Sequence, residues 1–82
     1  MPNCDTLLEQ ARRSQRNVRF ADLCALAECY EFVFDRQNGS HRQYIRPGYA
    51  ARLNLQNDKG KANPYQVRQL LKIIDDLHRE DA

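Results

Sequence analysis

One histidine of the 82-residue chain stands directly after a tight-turn signal. The dipeptide Asn38-Gly39 predicts a type I′ hairpin turn, because both residues tolerate the positive φ that this turn needs. His41 would then begin the second strand of the hairpin, held by rigid backbone and accessible to a ligand. Its imidazole can take up or release a proton near neutral pH. His78 falls in the last turn of a predicted helix, where a cation suits the helix dipole, and we assign it no chemistry.

Basic residues predominate in the middle of the chain, although the formal net charge is only +2. Asp58 is the only acidic residue between Arg36 and Lys72. Charge of one sign within one span is typical of a phosphate-binding face, and the alternative is that scattered arginines merely solvate a surface. The stretch Lys59-Gly60-Lys61 also precedes the start of a predicted helix, where free amides and the helix dipole favour an anion.

A histidine among arginines and lysines suits the cleavage of RNA. RNA carries its own nucleophile, the 2′-hydroxyl group, so a protein has to supply only proton transfer and stabilisation of negative charge. By this logic His41 is the candidate catalytic residue, and neither a metal nor another cofactor is required. Two other hypotheses stay open: a non-catalytic RNA-binding module that uses the same basic face, and a protein-interaction domain whose basic face meets an acidic partner. The predicted RNA-binding residues are Arg36, Ser40, Arg42, Lys59, Lys61 and Arg68.

The rest of the sequence predicts the elements that hold this hairpin. Apolar residues recur at helical spacing near both ends of the chain and alternate in short segments between them. An antiparallel three-stranded sheet with one apolar face needs helices to cover that face. We therefore predict a single α+β domain over residues 1–82, with the order α-α-β-β-β-α. The predicted helices are 6–14, 20–30 and 64–79, and the predicted strands are 32–37, 40–46 and 51–56, followed by a polar loop over 57–62.

Several residues mark the ends of these helices. Thr6 and Glu9 fit a capping box at the start of the first helix. Asn63 is a good N-cap for the last helix, with Gln66 at the capping-box position. A glycine is expected after the last turn of the second helix, but Glu31 stands there.

Three cysteines, Cys4, Cys24 and Cys29, give an odd number, and no Cys-x-x-Cys pair is present. Cys24 and Cys29 lie five residues apart in one predicted helix and are poorly placed for a bridge, so we predict free thiols in a reducing compartment. The sequence has no apolar run long enough for a membrane span, and its first five residues lack the features of a signal peptide. We therefore expect a cytoplasmic protein.

The hairpin belongs to a longer pattern of residues. The pattern comprises residues 32–37, the triplet Gly39-Ser40-His41, Tyr44 and Pro47-Gly48, and it extends to residues 20–23, 54–56 and 60–67. This pattern resembles the core of HicA-type toxins, which are small mRNA interferases of bacterial toxin–antitoxin pairs. The resemblance covers roughly residues 16–74.

The resemblance implies a double-stranded-RNA-binding-domain-like fold and translation-independent mRNA cleavage, with His41 as the catalytic residue. It also implies a HicB-type antitoxin that blocks the active site, and it divides the chain into an N-terminal helix extension (1–15) and a HicA-like core (16–79). Three positions depart from the family pattern. Glu31 replaces a common glycine, Gln43 stands where the family is usually apolar, and Asn63 replaces a common lysine.

Overall fold

Three α-helices and a four-stranded antiparallel sheet make up the computed structural model, which describes residues 3–81 and the side chains of residues 3–79. The α+β class and the predicted order of elements are confirmed, with one strand more than the three predicted. The helices are α1 (Cys4–Arg13), α2 (Phe20–Cys29) and α3 (Pro64–Asp81), with a 3₁₀ turn at Gln15–Asn17. The strands are β1 (Val33–Asn38), β2 (His41–Ile45), β3 (Leu53–Asp58) and β4 (Lys61–Ala62), in that order across the sheet.

The additional strand β4 lies within the predicted polar loop. Asp58 at the end of β3 pairs with Lys61, and the chain between them is only Lys59-Gly60. Both of these residues have positive φ, 53° and 87°, as a type I′ turn requires. The prediction of a loop over 57–62 is therefore wrong. A strand of two residues is too short to produce an alternating pattern in the sequence.

The predicted hairpin between β1 and β2 forms with a different turn. Asn38 pairs with His41 as the last rung of the ladder, so the loop consists of Gly39-Ser40. Of these two loop residues only Gly39 has a positive φ, 62°, which fits a type II′ turn with glycine at the first central position. The type I′ turn predicted over Asn38-Gly39 is wrong, because Asn38 remains in the strand.

One face of the sheet is apolar and packs against α2 and α3, while α1 packs against these two helices. Tyr44, Leu53 and Leu55 lie on this face and are at most 2% exposed, as the alternation of a strand demands. Leu7 and Ala11 of α1 are also buried, so the N-terminal helix is part of the core. The buried apolar residues are Leu7, Ala11, Val18, Phe20, Leu23, Cys24, Leu26, Ala27, Phe32, Tyr44, Leu53, Leu55, Ala62, Val67, Leu70, Ile73, Ile74 and Leu77.

Helix α1 begins earlier than predicted. The amide of Thr6 donates to Asn3 Oδ1 at 2.8 Å, which makes Asn3 the N-cap. Glu9 pairs instead with Arg13 at 2.6 Å, one turn further along the helix. The predicted Thr6–Glu9 capping box is wrong, because asparagine is the better N-cap and starts the helix before Thr6.

Helix α3 begins where predicted. Asn63 Oδ1 accepts from the amide of Tyr65 at 2.9 Å, which confirms Asn63 as the N-cap. Gln66 does not complete a capping box, because its Oε1 accepts from the amide of Gln56 at 2.7 Å and so ties α3 to β3. Even this helix, the longest in the described part of the chain, lacks the apolar character that a membrane crossing needs, and no other described helix qualifies.

Glu31 occupies a position that glycine usually fills. Its φ is 69°, and the amide of Phe32 donates to the carbonyl of Ala27 at 3.2 Å, which is the bond that closes a Schellman motif. Arg46, the residue after β2, holds this helix end, with Nε donating to the Tyr30 carbonyl at 2.8 Å and Nη2 contacting Glu31 Oε2 at 3.0 Å. The glutamate thus offsets part of the strain of its backbone with an ion pair that glycine cannot make.

A disulfide joins Cys4 to Cys29, whereas Cys24 is a buried free thiol. The prediction of free thiols is therefore right for Cys24 and wrong for the other two cysteines. The first residue of α1 lies beside the last residue of α2, with a Cα–Cα distance of 5.9 Å, because the two helices pack side by side in opposite directions. Sequence spacing carries no information on this tertiary pairing.

Candidate active site on the open face of the sheet

His41 lies on the side of the sheet opposite the helices. Side chains alternate along β2, so His41 and Gln43 point away from the buried Tyr44. In the register between β2 and β3, His41 is opposite Gln56 and Gln43 is opposite Asn54, which places these four residues on one side. We call the side of the sheet that carries them the open face.

The imidazole of His41 is oriented by a neighbouring amide. His41 Nδ1 lies 3.2 Å from Asn54 Oδ1. An imidazole that donates from Nδ1 to this oxygen presents Nε2 as its proton acceptor. Nε2 makes no hydrogen bond within the described part of the chain, and the residue is partly exposed. The geometry therefore provides a fixed ring with one nitrogen free to exchange a proton with a ligand.

A charged cluster formed by β1 and by Arg52, the residue before β3, shares the open face. A bulge between Phe34 and Arg36 inserts Asp35 and places Arg36 opposite Gln43. Asp35 Oδ2 accepts from Arg52 Nη1 at 2.8 Å and lies 3.3 Å from Arg36 Nε. The hydrogen bond from Arg52 holds the pKa of Asp35 below its ordinary value. The two arginine side chains are 67% and 54% exposed, so each keeps donors for an anion.

The two hairpin turns lie at the same end of the sheet as His41. The amide of Asn57 donates to the Ser40 carbonyl at 2.8 Å and joins the end of β3 to the first turn. Ser40 and Lys59 are exposed at the two turns. The structure therefore brings these two predicted RNA-binding residues to the end of the sheet that carries the imidazole.

Lys61 is exposed on β4, but its surroundings differ from those predicted. Asp58 lies opposite it in the hairpin, and Arg19 forms a β-bridge with it from the other side. The expected free amides at the start of α3 are partly engaged, because Asn63 Oδ1 already accepts from Tyr65. Phosphate binding by this segment would therefore depend on the side chains of Lys61 and Arg19 rather than on the helix end.

Arg42 points away from the open face, although it was predicted to bind RNA. Its guanidinium lies over the rings of Phe20 and Phe34, at 5.2 and 5.7 Å from their centroids, and Nη1 lies 3.8 Å from Cys24 Sγ. Burial raises the pKa of Cys24, and burial together with a hydrogen bond to Cys24 raises the pKa of Tyr44 to about 12. Residues 41 and 42 necessarily face opposite sides of a strand. The interaction of Arg42 with these aromatic rings makes it a packing residue.

Arg68 is the other predicted RNA-binding residue that the structure separates from His41. It lines a groove between α1 and α3 together with Arg12, Leu71 and Asp75. Arg12 and Asp75 form an ion pair there at 2.7 Å. None of the residues lining this groove belongs to the open face.

Three residues that orient His41 or carry charge on the open face were not predicted as site residues: Asn54, Arg52 and Asp35. The alternation in the third strand already placed Arg52 and Asn54 on the side opposite the core. What the sequence did not reveal is the register, which sets Asn54 within reach of His41. Among the residues that the structure describes, no three His, Cys, Asp or Glu side chains converge as a metal site would require, and we name no metal ligand.

Comparison with known families matches this chain to one of them. A family model described as the HicA toxin of bacterial toxin–antitoxin systems matches residues 20–75, which is more than half of the chain. The protein belongs to the HicA toxin family and is thus a toxin of a toxin–antitoxin system, with an antitoxin as its partner. Helix α1 lies outside the matched residues. No curated protein and no solved structure matches the chain.

Proposed function

We propose that this toxin is an endoribonuclease that cleaves mRNA in the cytoplasm, with His41 as its general acid or base. The observation that carries the proposal is the position of His41 on the open face, with Nδ1 beside Asn54 and Nε2 free. The family is one of bacterial toxins, and the arginines around Asp35 supply exposed cations on the same face.

In the proposed reaction, the phosphodiester is laid along the open face. His41 Nε2 takes the proton of the 2′-hydroxyl group, whose oxygen attacks the adjacent phosphorus. The bond from phosphorus to the 5′ oxygen breaks, and the leaving oxygen takes a proton from water. The products are a 2′,3′-cyclic phosphate and a 5′-hydroxyl end, and His41 then returns its proton to solvent. Arg36 and Arg52, whose side chains are exposed on the same face, are the candidates to stabilise the charge on the phosphoryl oxygens.

The proposal extends to the antitoxin, which would be a HicB-type protein. Its carboxylates would cover the open face and the two hairpin turns, and so exclude RNA from His41, Ser40 and Lys59. Opposite charges on the two proteins would also speed their association at low salt.

Two histidine variants test the proposal, because the second histidine, His78, serves as the control for His41. His41→Ala should lower the rate of RNA cleavage by about 10²–10⁴-fold and abolish growth arrest on induction in a bacterium. His78→Ala removes an imidazole from α3, where its ring lies 5.7 Å from that of Tyr30, and should leave the rate unchanged. Asn54→Ala should lower the turnover rate about tenfold without weakening RNA binding, because only the orientation of the ring is lost.

The outcomes separate the competing functions. RNA cleavage that survives His41→Ala removes this residue from the mechanism. Salt-dependent RNA binding with no cleavage by the wild-type protein would establish the non-catalytic RNA-binding module instead. If the protein has no affinity for RNA at any salt concentration, the basic face serves a protein partner only.

A further inference from the structure

The outer edge of β1 has no neighbouring strand in the described part of the chain. The sheet has the order β1-β2-β3-β4, so β1 pairs only with β2. An edge strand presents unpaired backbone amides and carbonyls, which another extended chain can bind. Val33 and Phe34 at the start of β1 are each 52% exposed, on opposite faces of the strand. This edge therefore combines free backbone groups with apolar side chains.

A groove of about 630 Å³ runs along the start of β1. Its apolar lining is flanked by two glutamates, Glu28 on α2 and Glu31 after it. The lining residues are Glu28, Glu31, Phe32, Val33, Phe34 and Pro47. A strand that entered this groove would need apolar side chains toward β1 and a basic side chain toward Glu28, because Glu31 is already paired with Arg46.

The second half of β1 is protected against such pairing, whereas the first half is not. The bulge at Asp35 breaks the regular spacing of the edge, and the charges of Asp35 and Arg36 follow it. Bulges and charges are the usual means by which proteins block an exposed edge. A further strand is therefore confined to the stretch around Val33.

We propose that an extended segment of the antitoxin binds as an additional strand on the outer edge of β1, with a lysine or arginine facing Glu28 and apolar side chains against Val33 and Phe34. Family membership supplies a protein partner for this chain, and the proposal does not depend on RNA cleavage. Backbone hydrogen bonds give such strand addition its affinity, and the side-chain pockets give it specificity. A second copy of the chain fits this groove less well, because the glutamates of both copies would meet.

The strand-addition site lies apart from His41. Val33 pairs with Ile45, whereas His41 pairs with Asn38 at the opposite end of the hairpin. At about 3.3 Å per residue, the length of β1 separates the two sites by roughly 16 Å. The antitoxin is thus bound at one end of β1 while it covers the imidazole at the other.

Matched substitutions test the site, with binding measured to purified antitoxin, the product of the neighbouring gene. In a His41→Ala background, Glu28→Lys and Val33→Gln should each weaken binding, by about tenfold for the charge reversal. Glu9→Lys on α1 and Tyr65→Gln on α3 make the same changes at exposed positions outside the groove and should not weaken binding. With His41 present, all four variants should cleave RNA as the wild type does. Equal affinity for all four variants would overturn the proposal.

Hydrogen exchange of the backbone tests the strand itself. Amides in residues 33–35 should exchange more slowly in the toxin–antitoxin complex than in the free toxin, whereas those in the middle of α3, residues 68–75, which lie on the other side of the sheet, should not change. A saturated complex without this protection would overturn strand addition. Protection that appears in the free toxin as its concentration rises would assign the edge to a second copy, and would overturn the proposal equally. Because binding is measured on the His41→Ala protein, failure of the nuclease proposal leaves the result intact.

Discussion

Removal of the Cys4–Cys29 disulfide should destabilise the protein severely. The bridge closes a segment with a sequence separation of 25, which includes α1, the 3₁₀ turn and α2. The loss of chain entropy in the unfolded state for a loop of this length corresponds to about 3.5 kcal/mol at 25 °C. A domain of this size has a free energy of unfolding of only about 4–12 kcal/mol. Reduction of the disulfide therefore removes a large fraction of the total free energy of unfolding.

Urea unfolding with and without a phosphine reductant measures the effect. We expect the reductant to lower the free energy of unfolding by about 3 kcal/mol and the Tm by more than about 10 °C. Cys4→Ala should show the lower stability even without reductant, and adding reductant should not change its free energy of unfolding. Cys24→Ala keeps the bridge, so its stability should still fall when the reductant is added.

Thiol counting provides the refuting result. The oxidised protein should show one reactive thiol after unfolding in denaturant, that of Cys24, and three after reduction. Three thiols in protein purified without reductant under air, or identical unfolding curves with and without reductant, would refute the reasoning.

Two further predictions concern the helix end at Glu31 and the buried Tyr44. Glu31→Gly should leave the free energy of unfolding unchanged or raise it by up to about 1 kcal/mol in urea titrations, since relief of the positive φ outweighs loss of the exposed ion pair with Arg46. The control variant Glu28→Gly, inside α2, should lower the free energy of unfolding by about 1 kcal/mol. A larger loss in Glu31→Gly than in Glu28→Gly would contradict this account. Because the pKa of Tyr44 is raised to about 12 in the folded protein, the free energy of unfolding should fall as the pH rises from about 10 to about 12. Tyr44→Phe should remove the part of this fall in stability that Tyr44 causes. If the pH dependence of unfolding is the same in this variant, another group causes the fall.

Local signals in the sequence predicted the scaffold of the site well. Glycine and asparagine marked the first hairpin, alternation assigned Leu53 and Leu55 to the core, and Asn63 with the following proline fixed the start of α3. These signals depend on neighbouring residues only. The turn type and the strand β4 were missed, because each is decided by one or two residues whose conformation depends on the partner strand.

The predicted site was less accurate than the predicted scaffold for the same reason. Proximity in sequence grouped Arg42 with His41, although consecutive strand residues face opposite sides. Asn54 lies 13 positions away from His41 and comes beside it only through the register of β2 and β3. The Cys4–Cys29 bridge likewise depends on how α1 packs against α2. Residue types identified the chemistry, but tertiary pairing decided which residues share a surface.

The turn Gly39-Ser40 has a consequence for sequence variation. Tyr44 and Arg42 lie on the side of β2 that faces the core, where Arg42 packs over the ring of Phe20, whereas His41 lies on the other side. Because side chains alternate, a slip of β2 by one residue against its neighbours would turn His41 inward and present Arg42 to the solvent. Deletion of a single codon in this turn therefore threatens the fold and the site together, whereas a substitution at Ser40, where φ is not positive, would keep the register of the strands. Natural variants of this hairpin should therefore vary at residue 40 more readily than at Gly39, and should seldom differ in the number of turn residues.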